Sequence, residues 1–399
     1  MENAMALSNI RVLDLTRVMA GPYCTMYLAD LGAEVIKIEI PGSGDDTRKF
    51  PPFQNGESLY YCNVNRNKKG VTLNLKRPAG KQLFMEMVKQ ADVVVENYRP
   101  GVMDKLGLGY DVLKEINPRI IYGAVSGFGS YGPLHQRPGY DIIAQAMSGL
   151  MSLTGECGGG PIRTGSAIGD LVGGLNLTIG ILAALNARQL TGKGQRVDIS
   201  LVDGLVSFLE TNTQRYLANG VQPPRMGNRY PSAAPYDSFK AKDGEFVIGC
   251  GNDKLFALLC SQVLQRPELS SDPRYDTPSK RLDRQEELKV IIEAWAKDHT
   301  IEEAVNLVLE AGVPAAPIYD IAAVMANQHI AEAREMFLNC DHPTAGHLRI
   351  NGNPVKLMDS MPSLRRPAPS LGQDNEEVYE NIFGVSAQQL EELKAEGAI

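Results

Sequence analysis

The 399-residue chain has a single tryptophan, five histidines and six cysteines, and each scarcity removes a class of function. The cysteines form no CxxC pair and stand in no close Cys/His grouping, so neither a zinc module nor a disulfide framework is expected. Scattered thiols in a large chain suit a reducing compartment, and a cytoplasmic protein is the expectation. None of the histidines lies in a GxSxG or HExxH setting, which leaves a serine hydrolase or a zinc protease unsupported. GxGxxG and the P-loop are also absent, so a nicotinamide, flavin or nucleotide-hydrolysing reading loses its main support. Basic charge is in deficit, with 40 Lys and Arg against 47 Asp and Glu, and the formal net charge is -7. That balance argues against a nucleic-acid partner. The start, "MENAMALSNIRVLDL", has no basic segment followed by an apolar run, so no signal peptide is expected. The longest apolar stretch, "GGLNLTIGILAALNA", reads as too short to span a bilayer, and no membrane partner is expected.

What is present is a repeated strand–helix pattern. "IRVLDLT" (10–16), "EVIKIEI" (34–40), "VTLNLK" (71–76), "ADVVVEN" (91–97) and "RIIYGAVSG" (119–127) read as buried strands. Helical patterns such as "GPYCTMYLADLG" (21–32) and "PAGKQLFMEMVKQ" (78–90) lie between them. Near-continuous apolar strands joined by helices predict an α/β fold with a parallel sheet covered on both faces. Apolar residues at helical spacing predict a helix over 171–190, then a strand at "QRVDISL" (195–201) and a single long helix over 202–220. Four prolines in "VQPPRMGNRYPSAAP" (221–235) mark a linker. The expected division is a large domain of residues 1–225, to which 329–399 return, and a smaller α+β domain of 226–328.

The stretch "GSAIGDLVGG" (165–174) holds the candidate reactive group. Asp170 stands among glycines, just before the apolar helix. A short carboxylate there is either the helix N-cap or a nucleophile that Gly169, Gly173 and Gly174 leave uncovered for a bulky acyl group. Two other runs carry bland readings as well. "NRNKKG" (65–70) reads as a solvated basic face, or as an offer of Arg66, Lys68 or Lys69 to phosphate. "GSGDD" (42–46) and "GECGGGPIRTG" (155–165) read as exposed turns, the latter also as a mobile loop.

Taken in order, "VLDLTRVMAGPYCTMYLADLGAEVIKIE", "GSGDDTR", "SLYYCNVNRNKKGVTLNLK", "ADVVVENYRPGVMDKLGLGYDVLKEINPRIIYGAVSGFG", "GYDIIAQAMSGLMSLTG", "GDLVGG" and "TGKGQRVDISL" resemble the class III CoA-transferase (CaiB/BaiF-type) family over nearly the whole chain. The resemblance implies a Rossmann-like large domain, a small α+β domain and an interlocked homodimer. It implies that Asp170 is the nucleophile. For CoA it implies contacts at Arg17, Val18, Met19 and Ala20 after the first strand, at Leu73 and Lys76 for adenine and ribose, at Asn97 and Tyr98, and at Lys105 and Arg137. It places Tyr140 and Asp141 of "GYD" by the acyl group. Coenzyme A is then a substrate alongside a small carboxylic acid, and no metal or redox cofactor is required. Formyl-CoA-using oxalate enzymes of the family carry His and Gln where this chain has Arg17 and Met19, and a glycine run where it has "GCGND" (249–253). Acetyl-CoA:oxalate enzymes look nearer, through "GNRYPSAAPYDSF" and "CGNDKLF". Succinyl-CoA:dicarboxylate enzymes share much of the pattern. Related racemases carry "GHD" where Tyr140 stands here, and tyrosine, with a pKa of about 10, is a poor base at neutral pH.

Overall fold

The structure is a computed structural model and describes residues 5–399. Six strands, β1 (Arg11–Asp14), β2 (Glu34–Glu39), β3 (Lys68–Thr72), β4 (Val93–Glu96), β5 (Ile121–Ser126) and β6 (Arg196–Ser200), form one sheet in the order β3-β2-β1-β4-β5-β6. All five pairings are parallel. This is the doubly wound order, which reverses between β1 and β4. Alternate strand residues feed two separate cores, as the period of two requires. Leu13, Ile36, Val71 and Val94 pack on one face with Phe84 and Met87, and with Val378, Tyr379 and Leu390 from the returning C-terminal chain. Val12, Val35, Val93 and Ile121 pack on the other face, under α1 (Ala20–Asp30) and a second, longer helix.

The chain forms two compact units. The sheet belongs to the first, which comprises residues to Leu150, Arg163–Thr213 and Gln328–Ile399. Met151–Ile162 and Gln214–Asn327 make the second. Its three-stranded antiparallel sheet centres on Glu245–Gly249, between Tyr236–Lys240 and Ala315–Pro317. Phe239, Phe246 and Ile248 of that sheet pack against Leu288, Ile292, Val305 and Val308 of two helices. The mixed α/β class and the smaller α+β unit match the expectation from sequence.

Several local expectations do not hold. The third strand begins at Lys68 and ends at Thr72, so "NRNKKG" runs into the sheet instead of forming a solvated face. Arg66 and Lys68 are buried: Arg66 pairs with Asp30 at 2.7 Å and Lys68 with Asp14 at 3.0 Å. Neither cation is free for phosphate, and Lys69 pairs with Glu34 and Glu377. The helix expected over 202–220 is two helices, Leu201–Ser207 and Thr211–Asn219, because Glu210 takes a left-handed conformation (φ 56°). The glycine-rich 155–165 run, by contrast, is the exposed turn read from the sequence, and Arg225 donates to the Gly159 carbonyl within it and to the Ser152 carbonyl just before it. Finally, the apolar helix runs from Ile168 to Thr191, and its 24 residues are long and apolar enough to cross a bilayer by length and composition. The expectation that it is too short is thus wrong. Half of its most apolar window is buried inside the protein, including Leu177 and Ile181 in the second core.

Candidate active site

In doubly wound sheets, ligands sit at the carboxyl ends of the strands where the order reverses. Here that point lies between β1 and β4, and a cleft opens there. The loop after β1 supplies Arg17, Val18, Met19 and Ala20, and the chain after β4 supplies Asn97, Tyr98, Arg99 and Pro100. Gly127, following β5, closes the floor beside Arg137 and Tyr140. Asp170 completes it, from the first turn of α3 (Ile168–Thr191); α2 (Asp141–Met147) ends the segment that carries Tyr140.

Asp170 is not the N-cap. Ala167 occupies that position, without a side-chain cap bond, and Asp170 is the third helical residue. The capping is done from another helix: Asp141 Oδ1 accepts the Gly169 N–H at 2.7 Å. The buried Gln145 side chain donates to Asp141 Oδ2 at 2.7 Å, and its own oxygen accepts the Thr164 N–H at 2.9 Å. The Asp170 carboxylate accepts no hydrogen bond from the described residues. It is half-buried, and its pKa is pushed up to about 7, first by loss of water and then by the negative Asp141 beside it. The Tyr60 phenol faces the same negative field and is pushed up to about 12, by burial first and then by Asp170, Asp45 and Asp141.

The glycines around Asp170 serve packing more than access. A Cβ on Gly174 would stand 2.6 Å from the Ala20 carbonyl oxygen. One on Gly173 would strike Leu201, and one on Gly169 would come within 3.0 Å of Asp141 Oδ1. Their missing side chains let α3 lie close on α1, on α2 and on the Leu201–Ser207 helix, which brings the Asp170 end of the helix to the cleft.

The remaining sequence candidates separate into two sets. Arg17, Val18, Met19, Ala20, Asn97, Tyr98, Arg137 and Tyr140 line the cleft with Asp170. Leu73, Lys76 and Lys105 do not: Leu73 is a core side chain at 1% exposure, and Lys76 and Lys105 are exposed elsewhere on the same unit. Asp141 acts behind the wall, through Gly169. Of the cleft cations, Arg17 is partly engaged, 3.4 Å from Asp46 and over the Tyr98 ring. Arg137 is exposed and makes no ion pair among the described residues. Arg229 belongs to the second unit and is paired with Asp237 and Glu286. Asp46 in the lining, the buried Asp45 and Gln145 escaped the sequence reading. The "GSGDD" run looks like a surface turn, and only the fold shows Asp45 at 3% exposure, paired with Lys37. No cluster of three or more metal-ligating side chains occurs among the described residues.

A switch-point cleft lined by an unbonded, half-buried carboxylate places this chain among the doubly wound α/β proteins that bind a ligand where the strand order reverses. Comparison with known proteins identifies which: residues 7–375 match CoA-transferase family III, and the chain belongs to that family. It is 45% identical to the acetyl-CoA:oxalate CoA-transferase of Acetobacter aceti, covering 91% of this chain and 92% of that one. It is 39% identical to the succinyl-CoA:glutarate CoA-transferase of Homo sapiens, covering 100% of this chain and 91% of the relative. A solved CAIB/BAIF family protein from Brucella suis superposes with a TM-score of 0.84 at 37% identity, over 95% of this chain and 99% of that one. The chain is therefore a CoA-transferase, and its substrates are an acyl-CoA and a carboxylate.

Proposed function

We propose that the enzyme moves CoA from a short acyl-CoA to a small carboxylic acid, with acetyl-CoA and oxalate as the preferred pair and Asp170 as the nucleophile. The observation that carries this reading is the Asp170 carboxylate itself, half-buried, unbonded and raised to about 7 at the head of the cleft. A carboxylate stripped of water and pressed by Asp141 loses its charge when it is acylated, so the repulsion is relieved as the bond forms. Asp170 attacks the thioester carbonyl; the C–S bond breaks, giving a mixed anhydride and CoA thiolate. The thiolate attacks the Asp170 carbonyl, expelling the first acid and leaving an aspartyl-CoA thioester. The acceptor carboxylate attacks that carbonyl, forming a second anhydride and freeing the thiolate. The thiolate then takes the new acyl group and returns the Asp170 carboxylate. No proton is gained or lost over the cycle, and this path requires no metal or redox cofactor.

The similarity to an acetyl-CoA:oxalate enzyme supports the acid pair, and the free Arg137 in the cleft offers a cation to an acidic acceptor or to a CoA phosphate. Succinyl-CoA with a dicarboxylate is the second reading, supported by the similarity to the glutarate enzyme. We further propose a homodimer, whose partner would cover apolar side chains exposed on α3 such as Ile179 and Leu190. A cytoplasmic location agrees with six cysteines that are all free. The deciding experiment incubates acetyl-CoA or succinyl-CoA with oxalate, glutarate and mesaconate, and reads the CoA products by mass spectrometry. Enzyme quenched during turnover should carry CoA, less one water, on Asp170. Continued product formation with Asp170 never modified would refute the nucleophile.

A further inference from the structure

The loop between β1 and α1 has a backbone that its own sequence disfavours. Val18 sits at φ 67°, a left-handed conformation that is unfavourable for any side chain and worst for a β-branched one. Such strain persists only where the surroundings over-determine it, and it gathers at functional sites.

The surroundings here do so from three directions. Asn97, just past β4, holds Arg17 by both backbone groups: its Oδ1 accepts the Arg17 N–H at 2.9 Å, and its Nδ2 donates to the Arg17 carbonyl at 2.7 Å. Asp45 Oδ1 accepts the Val18 N–H at 3.2 Å. Lys37 Nζ, on β2, donates to the Thr16 carbonyl and to Asp45 Oδ2, each at 2.9 Å. The chain from the Thr16 carbonyl to the Val18 amide is thus held at four backbone atoms by three side chains. The Lys37 and Asp45 side chains are 0% and 1% exposed, and neither lines the cleft. A fully buried ion pair adds little net stability over apolar residues of the same size. What this pair does is hold a loop whose next residues, Met19 and Ala20, open α1 at the wall of the cleft.

We infer that Asn97 and the Lys37–Asp45 pair are positioning residues, which hold the Arg17–Ala20 loop in a strained form that the CoA substrate requires. The inference rests on the cleft being the acyl-CoA site. Binding to a preorganised loop avoids the entropy of ordering it, so a relaxed loop binds more weakly.

The probe is free CoA, measured by titration calorimetry, with thermal melting and Val18 amide exchange alongside. Val18→Gly removes the conformational penalty, so its melting temperature should hold or rise while CoA affinity falls at least fivefold and the amide exchanges faster. Val18→Ala keeps a Cβ at the strained position and should lose less than half as much affinity. The double variant Lys37→Met/Asp45→Asn leaves no unpaired buried charge; it should fold and lose CoA affinity at least fivefold although neither residue reaches the cleft. Equal losses in the Gly and Ala variants would show that Val18 acts by contact, and unchanged affinity in Val18→Gly would show that the strain is incidental. Either result overturns the inference. Should wild-type enzyme bind no CoA, the assignment of the cleft itself fails, and this inference with it.

Discussion

Asp170 carries opposing demands at the scale of one residue. It must be ionised to attack, yet its burial and Asp141 disfavour the ion and hold its pKa near 7. The acid limb of kcat/KM should therefore rise through about pH 7. Asp141→Asn keeps an oxygen for the Gly169 amide but removes the charge, so the limb should move to lower pH and the plateau should drop. A drop without a shift in the pH profile would assign Asp141 to capping alone. Stability has the opposite sign. A carboxyl whose folded pKa lies above its unfolded value of about 3.8 binds its proton more tightly when folded, so folding is favoured at low pH and loses stability between about pH 4 and 7. Asp170→Asn should abolish transfer, raise the melting temperature at pH 8 by roughly 2 °C, on the order of 1 kcal/mol, and change it little at pH 4. Melting curves at the two pH values check this directly.

At the scale of elements, the stability of α3 depends on close approach. Gly174→Ala would press a methyl against the Ala20 carbonyl, which is backbone and cannot swing aside. Overpacking of this kind typically costs about 1–3 kcal/mol, and because α3 carries Asp170, activity should fall with it; chemical denaturation and turnover together measure both. The pair between α1 and the chain leading into β3 makes a sharper case. Arg66 reaches Asp30 with two hydrogen bonds, and Asn67 and Asn353 add to the same carboxylate. Arg66→Met leaves Asp30 charged and buried, with a cost of about 3–5 kcal/mol, and a much smaller loss in urea unfolding would mean that water replaces the guanidinium. From sequence, these cations read as a solvated face because a run of five basic or amide side chains usually is one. Their partners, Asp30 and Asp14, are distant in the chain, and no local pattern announces them.

At the scale of the whole molecule, two units with separate cores share one chain that leaves the first and returns to it. The returning segment is not an ornament. Tyr379 donates to the Thr72 carbonyl at 2.7 Å, and Val378 and Leu390 complete one face of the main sheet. Deletion of residues 376–399 should expose that face and give an insoluble protein, read by the soluble fraction on expression; a soluble, active truncation would show the face to be covered otherwise. A homodimer in solution is expected from the proposed reading, with light scattering giving twice the 43.5 kDa chain mass.

Sequence alone determined the strand–helix alternation, the parallel sheet, the smaller unit and the prominence of Asp170, because apolar period and glycine spacing are local properties of a chain. It also carried the family resemblance, which is a property of ordered motifs. Tertiary structure decided what those residues do. Only packing turns glycines that look like open access into contacts between helices, moves the cap from Asp170 to Asp141, buries Arg66 and Lys68 in pairs, and gathers Arg17, Asn97 and Asp170 into one cleft. Each of these depends on chain segments far apart in sequence. Burial and electrostatic fields fall with distance in space, which the linear order of residues does not record.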